Sequence, residues 1–270
     1  MPASAKGLAK NMGSYKNIAI LAAKKAGLLL KNKLGQKRRV TYKGAVNLVT
    51  EMDLLSEKII VSIIRRHYPN HNILAEEKTA RQRNSPFRWI IDPLDGTTNY
   101  AHGYPIFCVS IALEKEGKII LGVVYDPMRD ELFLAERKKG ARLNGKKIHV
   151  SSASKLSLSF LATGFPYDLR ESLVNNFDHF HNFALRVHAV RRAGSAALDL
   201  CYVAAGRFDG FWEMKLGSWD LAAGSLIVRE AEGKVTDFSG KSLGLDGQHV
   251  LASNGKIHQE MIEVLKMGRI

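Results

Sequence analysis

The apolar positions along the chain change their spacing twice. From Tyr15 to Lys33 they recur at three and four residues, which predicts an amphipathic helix with Ile18, Leu21, Ala22, Leu28 and Leu29 on one face, although Lys25 falls inside that face. A second helix is predicted over Leu54 to His67, with Asp53 placed to cap it. The pattern then shortens to alternation. Strands are predicted at Val109–Leu113, Ile119–Tyr125, Glu131–Ala135, Ala141–Leu143 and Lys147–Val150, with turns at Glu116-Gly117 and at Asn144-Gly145, a strong hairpin signal. In the last third the two periods interleave. Leu158–Thr163, Ala189–Arg192, Phe208–Glu213 and Lys234–Phe238 read as strands. Glu171–Leu185, Ser195–Ala205, Ser218 to Glu232 and a closing stretch from Ile257 read as helices. Hairpin strands together with crossover helices predict an α/β (α+β) protein of layered, mixed sheets.

Composition narrows this picture. With 270 residues, 46% of them hydrophobic, the chain can build the core of one large domain or of two joined lobes. No repeat, low-complexity tract or linker divides it, so a single domain over 1–270 is expected, with lobes at about 14–150 and 151–270 and a mobile terminus at 1–13. Cys108 and Cys201, the two cysteines, lie far apart and outside any CxxC pattern. That argues against a disulfide framework or zinc cluster and suits a reducing cytoplasm. The longest apolar runs, such as Ile18 to Ala23, are too short to span a bilayer or form an export signal.

The charge is lopsided. Residues 1–50 hold nine lysines and two arginines and no acid, so +11 of the net +14 sits there. Such a segment attracts anions at long range. A solvated basic helix face with a loose tail explains it as readily as a nucleic-acid site, and no aromatic interleaving supports the second reading.

The tract Trp89-Ile90-Ile91-Asp92-Pro93-Leu94-Asp95-Gly96-Thr97-Thr98-Asn99-Tyr100 carries the candidate chemistry. An apolar strand runs into two aspartates split by a proline. Acids so placed can hold hard cations, and Pro93 fixes the backbone so that the Leu94 carbonyl can turn inward as a neutral ligand. Gly96 and Thr97 would begin a short helix whose free N–H groups can face a phosphate oxygen. The same residues also make an ordinary D-P-x-D-G turn, and the tract alone does not choose between the two. Glu76-Glu77, Asp220 at a helix opening and Glu213 at a strand end are further acids, each with an ordinary surface or capping role as its alternative. The nine histidines lack metal-ligand spacing.

Four separated motifs occur in one consistent order. Asp92-Pro93-Leu94-Asp95-Gly96-Thr97-Thr98-Asn99 resembles the first signature of the inositol monophosphatase family, and Trp219-Asp220-Leu221-Ala222-Ala223-Gly224, continuing to Gly233, resembles the second. Gly194-Ser195-Ala196-Ala197-Leu198-Asp199 is similar to the family's substrate loop, and Asn47-Leu48-Val49-Thr50 leading to Asp53 to its N-terminal motif. The resemblance spans roughly Ile18 to Leu265. It implies an αβαβα sandwich of the sugar-phosphatase fold, often a homodimer, and a Mg²⁺-dependent, lithium-sensitive phosphomonoesterase using two or three ions. Glu76, Asp92 and the Leu94 carbonyl would hold the first metal, and Asp92, Asp95 and Asp220 the second. Glu76 would help to hold a third, weaker one. Thr97, paired with Asp53, would orient the attacking water, which meets phosphorus in line without a phosphoenzyme. Gly194, Ser195, Ala196 and Glu213 would contact the hydroxyls of the substrate, Gly96 and Thr97 its phosphate, Asp95 would also border the substrate, and Asp220 would lie near the leaving alcohol. The expected substrate is inositol 1-phosphate or a similar small polyol phosphate. Fructose 1,6-bisphosphate and NADP⁺ are alternatives within the superfamily, and RNA or ribonucleoprotein binding through the basic N-terminal region is one from another class. Asn47 stands where many relatives carry aspartate, Glu232 replaces a common glycine, and Thr98-Asn99 differs from nucleotide-directed relatives. A lysine of the family near the position of Lys43 faces the metal loop, and a solvated lysine is the alternative there.

Overall fold

Two mixed sheets, each covered on both faces, organise the computed structural model, which describes residues 14–35, 40–42, 48–77, 80–244 and 249–267. Residues 1–13, Lys43 and Asn47, singled out by the sequence, lie outside the described residues. Helix α1 (Tyr15–Lys33) is followed by strands β1 (Val40–Tyr42) and β2 (Leu48–Thr50), helix α2 (Glu51–His67), and strands β3 (Asn72–Ala75), β4 (Ala80–Arg81) and β5 (Phe87–Asp95). After the short helix α3 (Thr97–Ala101) come β6 (Cys108–Lys115), β7 (Lys118–Asp126), β8 (Glu131–Glu136), β9 (Ala141–Leu143) and β10 (Lys146–Lys147). These form an eight-stranded sheet in the order β10-β9-β8-β7-β6-β5-β3-β4, parallel only between β3 and β5.

The second sheet has the order β12-β11-β13-β15-β14, built from β11 (Phe160–Thr163), β12 (Ala189–Arg191), β13 (Gly210–Glu213), β14 (Lys234–Thr236) and β15 (Val250–Ser253). Its helices are α4 (Phe177–Ala184), α5 (Ala196–Ala204), α6 (Ser218–Glu230) and α7 (His258–Leu265). Helices α1 and α2 cover one face of the large sheet, α5 and α6 fill the space between the sheets, and α4 and α7 close the far side. The layers are therefore αβαβα, as the resemblance implied. Burial on both faces explains the unbroken apolar run of β5: Trp89 and Ile91 enter the core under α1 and α2, while Ile90 enters the core shared with α5 and α6.

Several predicted details need correction. The bounds of α1 agree, but its buried face is Ile18, Ala19, Ala22, Ala23, Ala26 and Leu30, while Leu21 and Leu28 are exposed. Close packing of α1 on α2 selects the small residues. Helix α2 starts at Glu51, so Asp53 lies within its first turn rather than at the cap. The predicted helix from Glu171 begins only at Phe177, because Ser172 and Asn175 turn the chain with their own side chains and the Asn176 side chain is buried against Trp212 Nε1 at 2.8 Å. The predicted strand Lys147–Val150 is reduced to Lys146–Lys147, and Leu158 ends a 3-10 turn. Strand β15 had no sequence counterpart. The two expected turns occur, with Glu116-Gly117 and Asn144-Gly145 all at positive φ.

Candidate active site

The parallel strands β3 and β5 run side by side, and Glu76 follows directly on the end of β3. Ala75 pairs with Ile91, and the Glu76 N–H donates to the Ile91 carbonyl at 3.2 Å, which sets Glu76 beside Asp92. Between Asp92 and Asp95 the ladder with β6 loses register. Three contacts hold this break: the Asp92 carboxylate accepts from the Leu94 N–H at 2.9 Å, Ser56 Oγ donates to the Pro93 carbonyl at 2.6 Å, and Thr97 Oγ1 lies 3.0 Å from the Leu94 carbonyl. Thr97 Oγ1 is also 2.8 Å from the Asp53 carboxylate, so Asp53 reaches the signature from α2. Gly96 adopts φ +97° at the start of α3, where an added Cβ would meet the Ile106 carbonyl at 2.9 Å. No side chain caps α3, and Gly96, Thr97 and Thr98 line the cavity.

The second lobe supplies the opposite wall. Asp95 Oδ2 accepts from Ser195 Oγ at 2.6 Å and from the Ala197 N–H at 2.8 Å, with Cys108 Sγ at 3.6 Å. The N-terminus of α5 thereby cups an acid of the first lobe. Asp220, in the first turn of α6, accepts the Gly217 N–H at 2.6 Å, half of a capping box whose other half a glycine cannot supply. Carboxylate oxygens of Asp92, Asp95 and Asp220 lie within 4.8 Å of one another. With Glu76 and Glu213 they line a cavity of about 250 Å³ that also presents Leu94, Gly194, Ala196, Arg192 and Lys215. Lys215 is committed to Asp168 at 2.6 Å.

The electrostatics are those of uncompensated acids. Burial raises the Asp92 carboxyl well above its ordinary range, reinforced by Glu76, Asp95 and Asp220. Burial raises Asp95 too, opposed by its hydrogen bonds from Ser195 and Ala197. Asp220 is pushed up to about 8 by burial and then by Asp95, and Glu213 to about 8 by burial and Asp95 against the pull of Arg192. An all-oxygen set that is buried and mutually repelling fits a hard divalent cation, whose charge would return every one of these carboxyls to the ionised form.

The structure brings together Asp53, Glu76, Asp92, Leu94, Asp95, Gly96, Thr97, Gly194, Ala196, Glu213 and Asp220. Ser195 is set apart: it is buried behind Asp95, with its hydroxyl committed there. Of the two adjacent arginines, Arg192 lines the cavity while Arg191 stacks over Phe160 at 4.7 Å. Sequence reasoning missed Asn99, whose amide donates to the carbonyls of Ile106 at 2.7 Å and Ala193 at 2.9 Å and ties the first signature to the substrate loop. It also missed Cys108 as a neighbour of Asp95, Tyr167 as part of the rim, and Gly164. A Cβ on Gly164 would lie 2.0 Å from Glu213 Oε1, so only glycine leaves room for that carboxylate. The hydrogen-bonding residue types were visible, but their partners were not.

Comparison with known proteins gives consistent results. A sequence model of the inositol monophosphatase family matches residues 11–267. An inositol-1-monophosphatase from Synechocystis is 46% identical over 94% of this chain and 90% of its own length. A protein named Nus factor SuhB from Pasteurella multocida is 44% identical over 94% and 97%. The crystal structure of extragenic suppressor protein suhB from Bartonella henselae superposes with a TM-score of 0.90 at 42% identity, covering 94% of this chain and 98% of that one.

Proposed function

The chain belongs to the inositol monophosphatase family of phosphoric monoester hydrolases, and from that premise we propose that it hydrolyses inositol 1-phosphate, or a similar small polyol phosphate, with Mg²⁺. The observation that carries this reading is the convergence of Asp92 and Asp95 from β5 with Asp220 from α6. Glu76, Asp92 and the Leu94 carbonyl would hold one ion, Asp92, Asp95 and Asp220 another, and Glu76 would help to hold a weaker third. Bound there, such ions neutralise charge on phosphoryl oxygens and make water a better nucleophile.

The chain's own groups do the positioning. Donating its single proton to Asp53, Thr97 keeps a lone pair on Oγ1 that can accept from a water entering the cavity; it orients that water, and can take the water's proton as its own passes to the Asp53 carboxylate. The uncapped N–H groups at the start of α3 can hold a phosphate oxygen. Glu213, raised to about 8 while no cation is bound, becomes an ionised acceptor once one is, and its oxygens can then accept from polyol hydroxyls. Gly194 and Ala196 border the same space, and Ser195 would act by holding Asp95 rather than by touching substrate. Asp220 would lie near the leaving alcohol.

The test is a phosphate-release panel with inositol 1-phosphate, fructose 1,6-bisphosphate and NADP⁺, run with Mg²⁺, with chelator and with Li⁺. Highest kcat/KM for inositol 1-phosphate, abolished by chelator and by Asp95→Asn, supports the reading. Wild-type turnover in Asp95→Asn at saturating Mg²⁺ contradicts it. A second role rests on the acid-free first fifty residues and on the relative named a Nus factor. RNA binding with a steep salt dependence, retained in Asp95→Asn and lost on removing the basic segment, would establish it.

A further inference from the structure

Helix α6 places Asp220 in its first turn and Arg229 at its other end, roughly 14 Å away along the axis. Around that far end lies a second cavity of about 420 Å³, bounded by the β7 and β8 ends, the last turn of α6 and residues 242–244. It shares no lining residue with the cavity over the aspartates. Four cations border it, Lys118, Arg137, Lys138 and Arg229, above an apolar floor of Ile119, Leu226 and Leu243.

Its one carboxylate among the described residues is spent elsewhere. Glu230 accepts the backbone N–H groups of Lys138 at 2.7 Å, Lys139 at 3.1 Å and Gly140 at 2.9 Å, so it braces the turn after β8 instead of pairing with a cation. No ion pair between described residues engages any of the four cationic side chains. Burial lowers the pKa of Arg229, and the charge of Arg137 lowers it further, so the two guanidinium groups stand close enough to repel. Among the described residues this cluster of like charge around a concave surface has no paired counter-charge.

We propose that this cavity binds a small organic phosphate, with the phosphate held by Arg137 and Arg229 and the apolar body resting on Ile119, Leu226 and Leu243. Guanidinium groups present paired donors that match phosphate oxygens. The volume falls in the range of small-ligand pockets, on the order of 300–1,000 Å³. Nucleic acid, by contrast, is tracked along extended grooves with stacked aromatic side chains, and among the described residues no aromatic side chain lines this cavity.

The test uses the full chain with Mg²⁺ and phenylphosphonate, which has no ester to hydrolyse, in calorimetric titration at fixed ionic strength. Two binding events are expected. Chelation removes the one at the aspartates, and Arg137→Gln/Arg229→Gln weakens the other at least tenfold while leaving the first. Phenylphosphonate should bind the second site more tightly than inorganic phosphate does, because of the apolar floor. In phosphate-free buffer the double variant should melt no lower than wild type, which confirms folding and the repulsion. A single chelator-sensitive event, a second event unchanged in the double variant, or a site occupied by single-stranded RNA but not by phenylphosphonate would overturn the proposal.

Discussion

Stripping divalent metal from the protein should make it lose stability as the pH rises above neutral. Burial and the neighbouring Asp95 push Asp220 up to about 8 in the folded protein, from an ordinary value of 3.8, so the folded protein retains a proton that the unfolded chain releases near pH 4. The stability tied to that proton is complete below about pH 4 and is lost as the pH rises through 8. Glu213, also near 8, acts with the same sign. His258 acts oppositely: burial lowers it to about 4, so its contribution is present above about pH 6.5 and lost as the pH falls towards 4. Between pH 6.5 and 8 only the acids therefore matter. At about 1.4 kcal/mol per pH unit, each contributes up to about 2 kcal/mol over that interval. Both side chains are only partly buried, and screening by water reduces their sum to about 2 kcal/mol. At roughly 2–4 °C per kcal/mol for a chain of this size, the metal-free Tm should drop by about 4–8 °C. Thermal melts by circular dichroism, in chelator and at constant ionic strength, read this directly. Saturating Mg²⁺ at about 100 times its Kd adds about 2.7 kcal/mol and flattens the slope. Asp220→Asn should cut it by roughly half without metal, because Glu213 still titrates. A chelated Tm that is level or rising from pH 6.5 to 8, or a slope untouched by Asp220→Asn, would refute the reasoning.

Other perturbations separate the roles of individual residues. Thr97→Ala should lower kcat by about 10²-fold or more with little change in Tm, since it removes the proton acceptor next to Asp53 and leaves the fold intact; phosphate release and a melt check both halves. Gly164→Ala must displace the Glu213 carboxylate and should raise KM for inositol 1-phosphate more than for phenyl phosphate, which has no ring hydroxyls to lose. Ser195→Ala should weaken Mg²⁺ binding by about 10-fold or more, measured by titration of metal-dependent turnover, because Asp95 Oδ2 loses its closest donor. Glu232→Gly should stabilise by about 1 kcal/mol in urea melts, since Glu232 sits at φ +72° and its contact with His149 is exposed.

The sequence was most legible where function is local. The acids of the first signature lie within four residues of each other, on a strand whose apolar run already predicted burial, and the turns at Glu116-Gly117 and Asn144-Gly145 follow from residue type alone. The face of α1 was misread because large leucines dominate any apolarity pattern, whereas the neighbouring helix accepts alanines and leaves Leu21 and Leu28 outside. Strand β15 is four residues long and buried throughout, so it offers neither alternation nor length. The contacts of Asn99 with Ala193 and of Ser195 with Asp95 join residues nearly a hundred positions apart. No local pattern encodes such a pairing. Glu232 is the opposite case: its departure from a common glycine was visible in the sequence, and the positive φ gives the physical reason for that glycine.

Anomalous diffraction from crystals soaked in Mn²⁺ tests the shared metal cluster most directly. Peaks at about 2.0–2.3 Å from carboxylate oxygens of Asp92, Asp95 and Asp220 are expected, with Glu76 at the edge of the same density. A soaked crystal with the ion bound elsewhere, or with Asp220 turned away from the other two aspartates, would contradict the assignment.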